Sequence, residues 1–95
     1  MMNRSTFNET LKSLIETRLG VNYIVDLQKV TKVNVTLNAL IIRKVSSPIG
    51  VTIYIDPLFD EHRKTGEEVS LLADKLLDYY HDEIVEASLS VSDLD

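Results

Sequence analysis

Hydrophobic residues near the start of the chain recur at three- and four-residue spacing, which predicts an amphipathic helix. Thr6 and Glu9 stand at the spacing of a capping box, so we expect the helix to start at Thr6. Gly20 is expected to end it, because glycine adopts left-handed backbone angles without steric cost. The buried stripe predicted for this helix contains Phe7, Leu11, Leu14, Ile15 and Leu19.

From Val21 the hydrophobic period changes to two, which is typical of strands with one buried face. A first strand is predicted to end near Val30, a second to follow a connection at residues 31–34, and a third to span residues 51–55. Because the connections are short and contain turn formers, we expect an antiparallel meander. The sheet residues predicted to face the core are Val25, Leu27, Val35, Leu37, Ile41, Ile53 and Ile55.

Two further helices are predicted after the third strand. Asp56 followed by Pro57 fits a helix cap with proline at the first helical position, and this short helix should stop before Gly66. A longer last helix is expected to begin near Glu67 and to continue to Ala87. Its predicted buried stripe is Val69, Leu72, Ala73, Leu76, Tyr80, Ile84 and Ala87.

The predicted fold class is α+β, with a three-stranded antiparallel meander and two longer helices packed on one face, in the order α-β-β-β-α-α. Residues 1–87 are predicted to form a single domain, since no linker, repeat or low-complexity stretch interrupts them. Residues 88–95 are predicted to be a frayed acidic tail.

The residue types that are missing exclude several classes of chemistry. The chain has no cysteine, which removes disulfides, thiol nucleophiles and thiolate metal sites. It also lacks a Gly-x-Ser-x-Gly motif and a glycine-rich phosphate loop. Asp78, His81 and Asp82 have the spacing of metal ligands on a helix, but such a triple arises by chance in an acidic chain. We therefore expect no enzyme activity, no catalytic residues, no cofactor and no metal.

The hydropathy of the chain also bears on its location. No apolar stretch approaches the roughly 20 residues of a membrane-spanning helix. The first twenty residues do not have the charged and apolar segments of a signal peptide. We therefore expect a cytoplasmic protein without membrane contact.

Charge is divided unevenly between the two halves of the chain, whose formal net charge is −5. Residues 1–50 hold seven Lys and Arg against three Asp and Glu, whereas residues 51–95 hold three against twelve. A nucleic-acid-binding protein of this size usually has a basic surface, so the acidic excess favours a basic protein surface as the partner.

Four acidic residues recur every four positions in the last predicted helix, namely Asp74, Asp78, Asp82 and Glu86. On one straight helix they would form a row on the side away from the apolar stripe. Two interpretations follow. The row is an ordinary solvated face, or it mimics nucleic-acid phosphates and binds a basic groove on a nuclease or another protein that handles nucleic acid.

The order of elements is similar to that of the double-stranded RNA-binding domain, which makes RNA binding an alternative function. Such domains contact phosphates through lysines at the start of their final helix, whereas this helix opens with Gly66-Glu67-Glu68. We therefore expect no direct contact with nucleic acid, because a shared fold without the site is weak evidence for a shared function.

Alternation also predicts a second candidate surface, on the side of the sheet away from the helices. Its apolar residues are predicted to be Ile24, Val30, Leu40, Ile42 and Tyr54. Such a surface is either covered by the short helix or the tail, or used by a partner. A homodimeric accessory or regulatory protein is therefore an alternative to binding through the acidic row.

Three segments resemble an uncharacterised family of small domains from Gram-positive bacteria and their mobile elements. They are Lys29-Val30-Thr31-Lys32-Val33-Asn34, Val35-Thr36-Leu37-Asn38-Ala39-Leu40-Ile41-Ile42-Arg43 and Thr52-Ile53-Tyr54. The resemblance departs at Val51, where the family pattern has proline. The family has no assigned activity, so the resemblance implies fold and context. Small acidic proteins of phages and mobile elements include inhibitors of host nucleases. The resemblance therefore favours an anti-CRISPR-like inhibitor that binds a Cas9-type nuclease through the acidic row.

Overall fold

A computed structural model describes the backbone of residues 2–93 and the side chains of residues 2–87. The elements are α1 (Arg4–Leu19), β1 (Tyr23–Lys32), β2 (Val35–Lys44), β3 (Gly50–Tyr54), α2 (Asp56–Thr65), α3 (Val69–Tyr79) and α4 (His81–Asp93). The strands form one antiparallel sheet in the order β1-β2-β3. The predicted α+β class and the order of its elements are confirmed, and the last predicted helix is divided into α3 and α4.

Helix α1 begins earlier than the capping box predicted. Asn3 is its N-cap residue, and Asn3 Oδ1 accepts a hydrogen bond from the Thr6 backbone amide at 2.8 Å. Thr6 is thus inside the first turn, because Asn3 already satisfies one of the free amides at the helix start. The helix ends at Gly20 as predicted, where φ is 85° and the amide donates to the Glu16 carbonyl.

A two-residue turn at Val33 and Asn34 joins β1 to β2. Both residues have positive φ, 45° and 66°, as a type I′ hairpin turn requires. Lys32 is paired directly with Val35, so the connection is shorter than the four residues expected from the sequence. The pairing then places Leu27 opposite Leu40 and Val25 opposite Ile42.

This pairing corrects the predicted orientation of β2. Directly opposed residues share a face, so Leu40 and Ile42 lie on the same side as Val25 and are 0% and 1% exposed. Val35, Leu37 and Ile41, which were predicted to face the core, lie on the opposite side. Alternation could not decide between the faces because β2 is apolar on both of them, whereas the pairing with β1 is decisive.

The helices pack on one side of the sheet. Helix α1 packs against β1 and α3, while α4 packs against β2 and β3. The buried core residues are Phe7, Leu11, Ile15, Val25, Leu40, Ile42, Val51, Ile53, Ile55, Phe59, Val69, Leu72, Ala73, Leu76 and Ile84. All four helices contribute to this single cluster, which is what stabilises a domain of this size.

Asp56 fixes the start of α2 to the sheet instead of capping the helix. The N-cap residue is Ile55, and it makes no side-chain capping bond. The Asp56 carboxylate accepts hydrogen bonds from Asn38 in β2 and from Arg4 in α1. Helix α2 ends at Gly66, which has left-handed backbone angles, as predicted.

The helical segment after Glu68 is interrupted at Tyr80, whose backbone angles are φ −98° and ψ 9°. Asp82 and Glu83 lie in the first turn of α4, where the positive end of the helix dipole stabilises carboxylates. Helix α4 extends to Asp93, within the segment 88–95 that the sequence assigns to a tail. Residues 94 and 95 lie outside the described residues.

Candidate functional site

One side of the sheet has no helix packed on it within residues 2–93. Each strand residue that belongs to the core cluster or packs against it points to the other side, where the helices lie. We call the uncovered side the open sheet face. Its apolar residues are Ile24, Val30, Val35, Leu37, Ala39, Ile41 and Tyr54.

The apolar residues of the open sheet face are neighbours across the strands. Val30 is paired directly with Leu37, and Ala39 stands between its partners Gln28 and Tyr54. Ala39 is 0% exposed although it is not part of the core cluster, since the longer side chains beside it cover it. The face therefore has a continuous apolar stripe along β2, with the polar residues Asp26, Gln28 and Thr52 on the strands beside it.

The composition of β2 is unusual for a strand with one solvated face. Antiparallel sheets with one face in water usually alternate between apolar residues inside and polar residues outside. In β2 the consecutive outward residues Leu37, Ala39 and Ile41 are all apolar, while the inward Leu40 and Ile42 are buried in the core. This pattern is typical of a strand that is covered on both faces.

Basic side chains stand at the two ends of the open sheet face. Lys32 lies near the hairpin turn, and its Nζ is 5.1 Å from the centre of the Tyr54 ring, in a cation–π contact. Arg43 lies at the far end of β2, where Nη1 donates to the Ser47 carbonyl at 3.3 Å. Asp26 is the acidic residue of this face and is paired with Ile41. The open sheet face thus combines an apolar centre with a small excess of positive charge.

The acidic residues predicted to form a row are distributed over two helices. Asp74 and Asp78 belong to α3, and Asp82 and Glu86 belong to α4, with the interruption at Tyr80 between them. Asp74 Oδ1 is held in an ion pair with Arg18 Nε at 2.8 Å. Asp78, Asp82 and Glu86 are exposed and form no ion pair with any described residue. The four carboxylates therefore do not form a row along one straight helix.

The second predicted partner surface is corrected in part. Ile24 and Tyr54 lie on the open sheet face as expected, together with Val30. Leu40 and Ile42 are core residues and cannot meet a partner, because the helices cover them. Sequence reasoning missed Leu37, Ala39 and Ile41. When the turn between two antiparallel strands has an even number of residues, each odd-numbered residue of β1 is paired with an even-numbered residue of β2, and paired residues share a face. The sequence predicts an even-numbered turn, so it also contained the information that Leu37, Ala39 and Ile41 face away from Val25.

The described residues contain no arrangement suited to metal binding. No group of three His, Cys, Asp or Glu side chains within them could hold a metal ion, and this includes Asp78, His81 and Asp82. His62 Nδ1 donates to the Glu67 carbonyl at 2.7 Å, and the ring lies 5.2 Å from that of Phe7. His62 thus joins α2 to the segment before α3, which is a structural role.

One surface ion pair changes the pKa values of its partners. Lys75 Nζ donates to Glu67 Oε1, and this bond holds the pKa of the Glu67 carboxyl below its usual value. The same bond raises the pKa of Lys75 above its usual value. Glu61 lies 4.0 Å from Lys75 and adds a weaker attraction. The pair connects α3 to α2 and to the residues between them.

The comparisons with known proteins define a family and give no activity. No curated protein and no solved structure matches this chain. No helix of the described residues is long and apolar enough to span a membrane. One family model matches residues 4–95, which is nearly the whole chain. The chain therefore belongs to DUF5688, a family of unknown function.

Proposed function

We propose that this domain is a non-catalytic protein-binding module whose open sheet face receives an apolar segment with acidic residues from a partner protein. The observation that carries the proposal is the apolar composition of β2 on both faces, while the described helices cover only one. Leu37 and Ile41 are partly exposed on the uncovered side, and Val35 is 55% exposed. Covering them removes apolar surface from water, which is the main driving force of association.

Charge selects the kind of partner. Lys32 and Arg43 flank the apolar centre, whereas the helices α3 and α4 on the other side of the molecule are acidic. A basic partner would be attracted to the helices and repelled from the ends of the open sheet face. A segment with apolar residues and flanking Asp or Glu fits this face in both hydrophobicity and charge.

A random peptide library tests the proposal without knowledge of the natural partner. The folded chain is immobilised, and bound peptides are selected and sequenced in parallel for the wild type and for Leu37→Asp. The matched control is Val21→Asp, because Val21 is 93% exposed and lies before β1. Circular dichroism confirms that each variant is folded.

We expect the wild type and Val21→Asp to enrich peptides that contain large apolar residues beside Asp or Glu. Leu37→Asp should fail to enrich them, since it places a charge where apolar contact is needed. Enrichment of the same peptides by Leu37→Asp would contradict the proposal. A wild-type dimer in light scattering that Leu37→Asp makes monomeric would instead assign the face to a second copy of the chain.

The exposed acidic residues of α3 and α4 support a second candidate function. Asp78, Asp82 and Glu86 are without ion pairs among the described residues, so they are free to attract a basic surface. This candidate is an anti-CRISPR-like inhibitor that occupies the nucleic-acid groove of a Cas9-type effector. The wild type should then reduce DNA cleavage by such a nuclease in a salt-dependent way, and the Asp78→Lys, Asp82→Lys variant should not. Equal inhibition by both proteins would contradict it.

A further inference from the structure

A groove of about 390 Å³ lies between the start of α1 and the middle of the β1–β2 hairpin. Arg4, Ser5, Asn8 and Glu9 line it from the helix, and Lys29 and Asn38 from the strands. This volume lies within the range of roughly 300 to 1,000 Å³ that small-molecule sites occupy. The groove is on the helix side of the sheet and is separate from the open sheet face.

Asn8 is the unusual residue of this groove. It is 5% exposed, yet its side-chain amide makes no hydrogen bond with any described residue. Its amide nitrogen and oxygen still reach solvent, since His62 Nε2 is the fully buried side-chain polar atom without a partner among the described residues. An amide that the protein itself does not pair can pair with another molecule. Because Asn8 lines the groove, its amide is available to whatever the groove holds.

The cations of the groove differ in how firmly they are held. Arg4 Nη1 is bonded to Asp56 Oδ1 at 2.6 Å, and its guanidinium lies 4.5 Å from the centre of the Phe59 ring. This leaves other N–H donors of Arg4 in a fixed position. Lys29 forms no ion pair with the described residues. Two cationic donors therefore line the same groove as the unpaired Asn8 amide.

We propose that this groove binds a small organic monocarboxylate that carries an amide or amine beside the carboxylate. The carboxylate is bound by Lys29 and by the free donors of Arg4, and the Asn8 amide pairs with the neighbouring polar group. Glu9 at the groove repels a second negative charge, which favours a monoanion over phosphate or a dicarboxylate. A free amino acid and the carboxyl end of a peptide share this chemistry.

Nuclear magnetic resonance of the ¹⁵N-labelled chain tests the proposal, because it observes the Asn8 side-chain NH₂ group directly. The probes are N-acetylglycine, which mimics a chain end, glycine, which is a free amino acid, and N-acetylglycinamide, which lacks the carboxylate. Inorganic phosphate is the fourth probe. The proteins are the wild type, Lys29→Gln, Asn8→Leu and the control Lys64→Gln, which removes an exposed lysine from the last turn of α2.

We expect saturable shifts of the Asn8 signals with N-acetylglycine or glycine and none with N-acetylglycinamide. If N-acetylglycine alone shifts the signals, the natural ligand is the carboxyl end of a peptide. If glycine shifts them, the natural ligand is a free amino acid. Lys29→Gln should weaken the affinity by about tenfold or more, as expected for the loss of a charge-assisted hydrogen bond, and Lys64→Gln should not change it.

Asn8→Leu keeps the size of the side chain and removes the unpaired amide. It should abolish carboxylate binding without lowering the thermal midpoint of the free protein, a combination that a purely structural residue would not show. The proposal is overturned if neither carboxylate gives a saturable shift, which would mean that the groove holds water only. It is also overturned if N-acetylglycinamide or phosphate binds as tightly as N-acetylglycine.

Discussion

The carboxylate of Asp56 accepts two hydrogen bonds from Asn38, one from the backbone amide to Oδ2 and one from Nδ2 to Oδ1, each at 2.8 Å. Asn38 is 8% exposed, and its carbonyl in turn accepts from the Ile55 amide at 3.0 Å. This reciprocal contact fixes the first residue of α2 to the middle of β2. It therefore determines where α2 leaves the sheet and where Arg4 is held.

Asp56→Asn should destabilise the fold by about 1.5 to 3 kcal/mol, the range for hydrogen bonds to a charged group. The change replaces one acceptor oxygen by an NH₂ group that faces donors from Asn38 and Arg4, so one buried donor loses its partner. Urea unfolding measures the effect. Asp60→Asn, an exposed change on the same helix, is the control and should alter stability by less than about 0.5 kcal/mol. Equal effects of the two changes would contradict the assigned role of Asp56.

Val33 is an unfavourable residue for its backbone conformation. It has φ 45° in the hairpin turn and is 93% exposed, so it has backbone strain without compensating burial. Val33→Asn should therefore stabilise the fold by about 1 kcal/mol, because asparagine tolerates left-handed angles. Val21→Asn is the matched control, since Val21 is also 93% exposed and has no positive φ. A thermal midpoint raised equally by both variants would show that turn strain is not the cause.

The bond between Lys75 and Glu67 makes stability depend on pH in two windows. The pKa of Glu67 is lowered on folding, so the stabilisation is complete above the usual value of 4.5 and is lost as the pH falls through the folded pKa. The pKa of Lys75 is raised, so the stabilisation is complete below 10.5 and is lost as the pH rises through the folded value.

Carbon-detected titration of the Glu67 carboxyl measures the acid window directly. Lys75→Met should raise the pKa of Glu67 towards its usual value, because the hydrogen bond from Lys75 is the largest cause of the shift. Lys64→Met, which removes a cation without a contact to Glu67, should leave that pKa unchanged. An unchanged Glu67 titration in Lys75→Met would refute the assignment of the ion pair.

Local patterns in the sequence were sufficient for most of the fold. The three strands, α1 and α2 follow from hydrophobic period and turn residues, and these signals lie within a few positions of each other. The interruption at Tyr80 has no such signal, since neither glycine nor proline stands there. The sequence feature that accompanies the interruption is the pair Asp82 and Glu83, since acidic residues are typical of the first turn of a helix.

The candidate sites could not be predicted from the alternation of apolar and polar residues within single strands, because they depend on which residues are paired between strands. Which side of β2 is open follows from its pairing with β1, which the length of the turn determines. Asn8 was also missed, although it stands three residues before Leu11 and seven before Ile15, on the buried side of α1. A polar residue at that spacing is a sequence signal for a buried polar site.

The central claim, that the open sheet face binds an apolar partner segment with acidic flanks, is tested most directly by a charge exchange. An enriched peptide and a version with its Asp and Glu changed to Lys are titrated against the wild type, Lys32→Glu and the control Lys64→Glu by calorimetry. We predict that Lys32→Glu lowers the affinity for the acidic peptide by about fivefold and raises the affinity for the basic version above that of the wild type. Lys64→Glu should have the affinities of the wild type for both peptides. Identical affinities of wild type and Lys32→Glu for both peptides would contradict the claim.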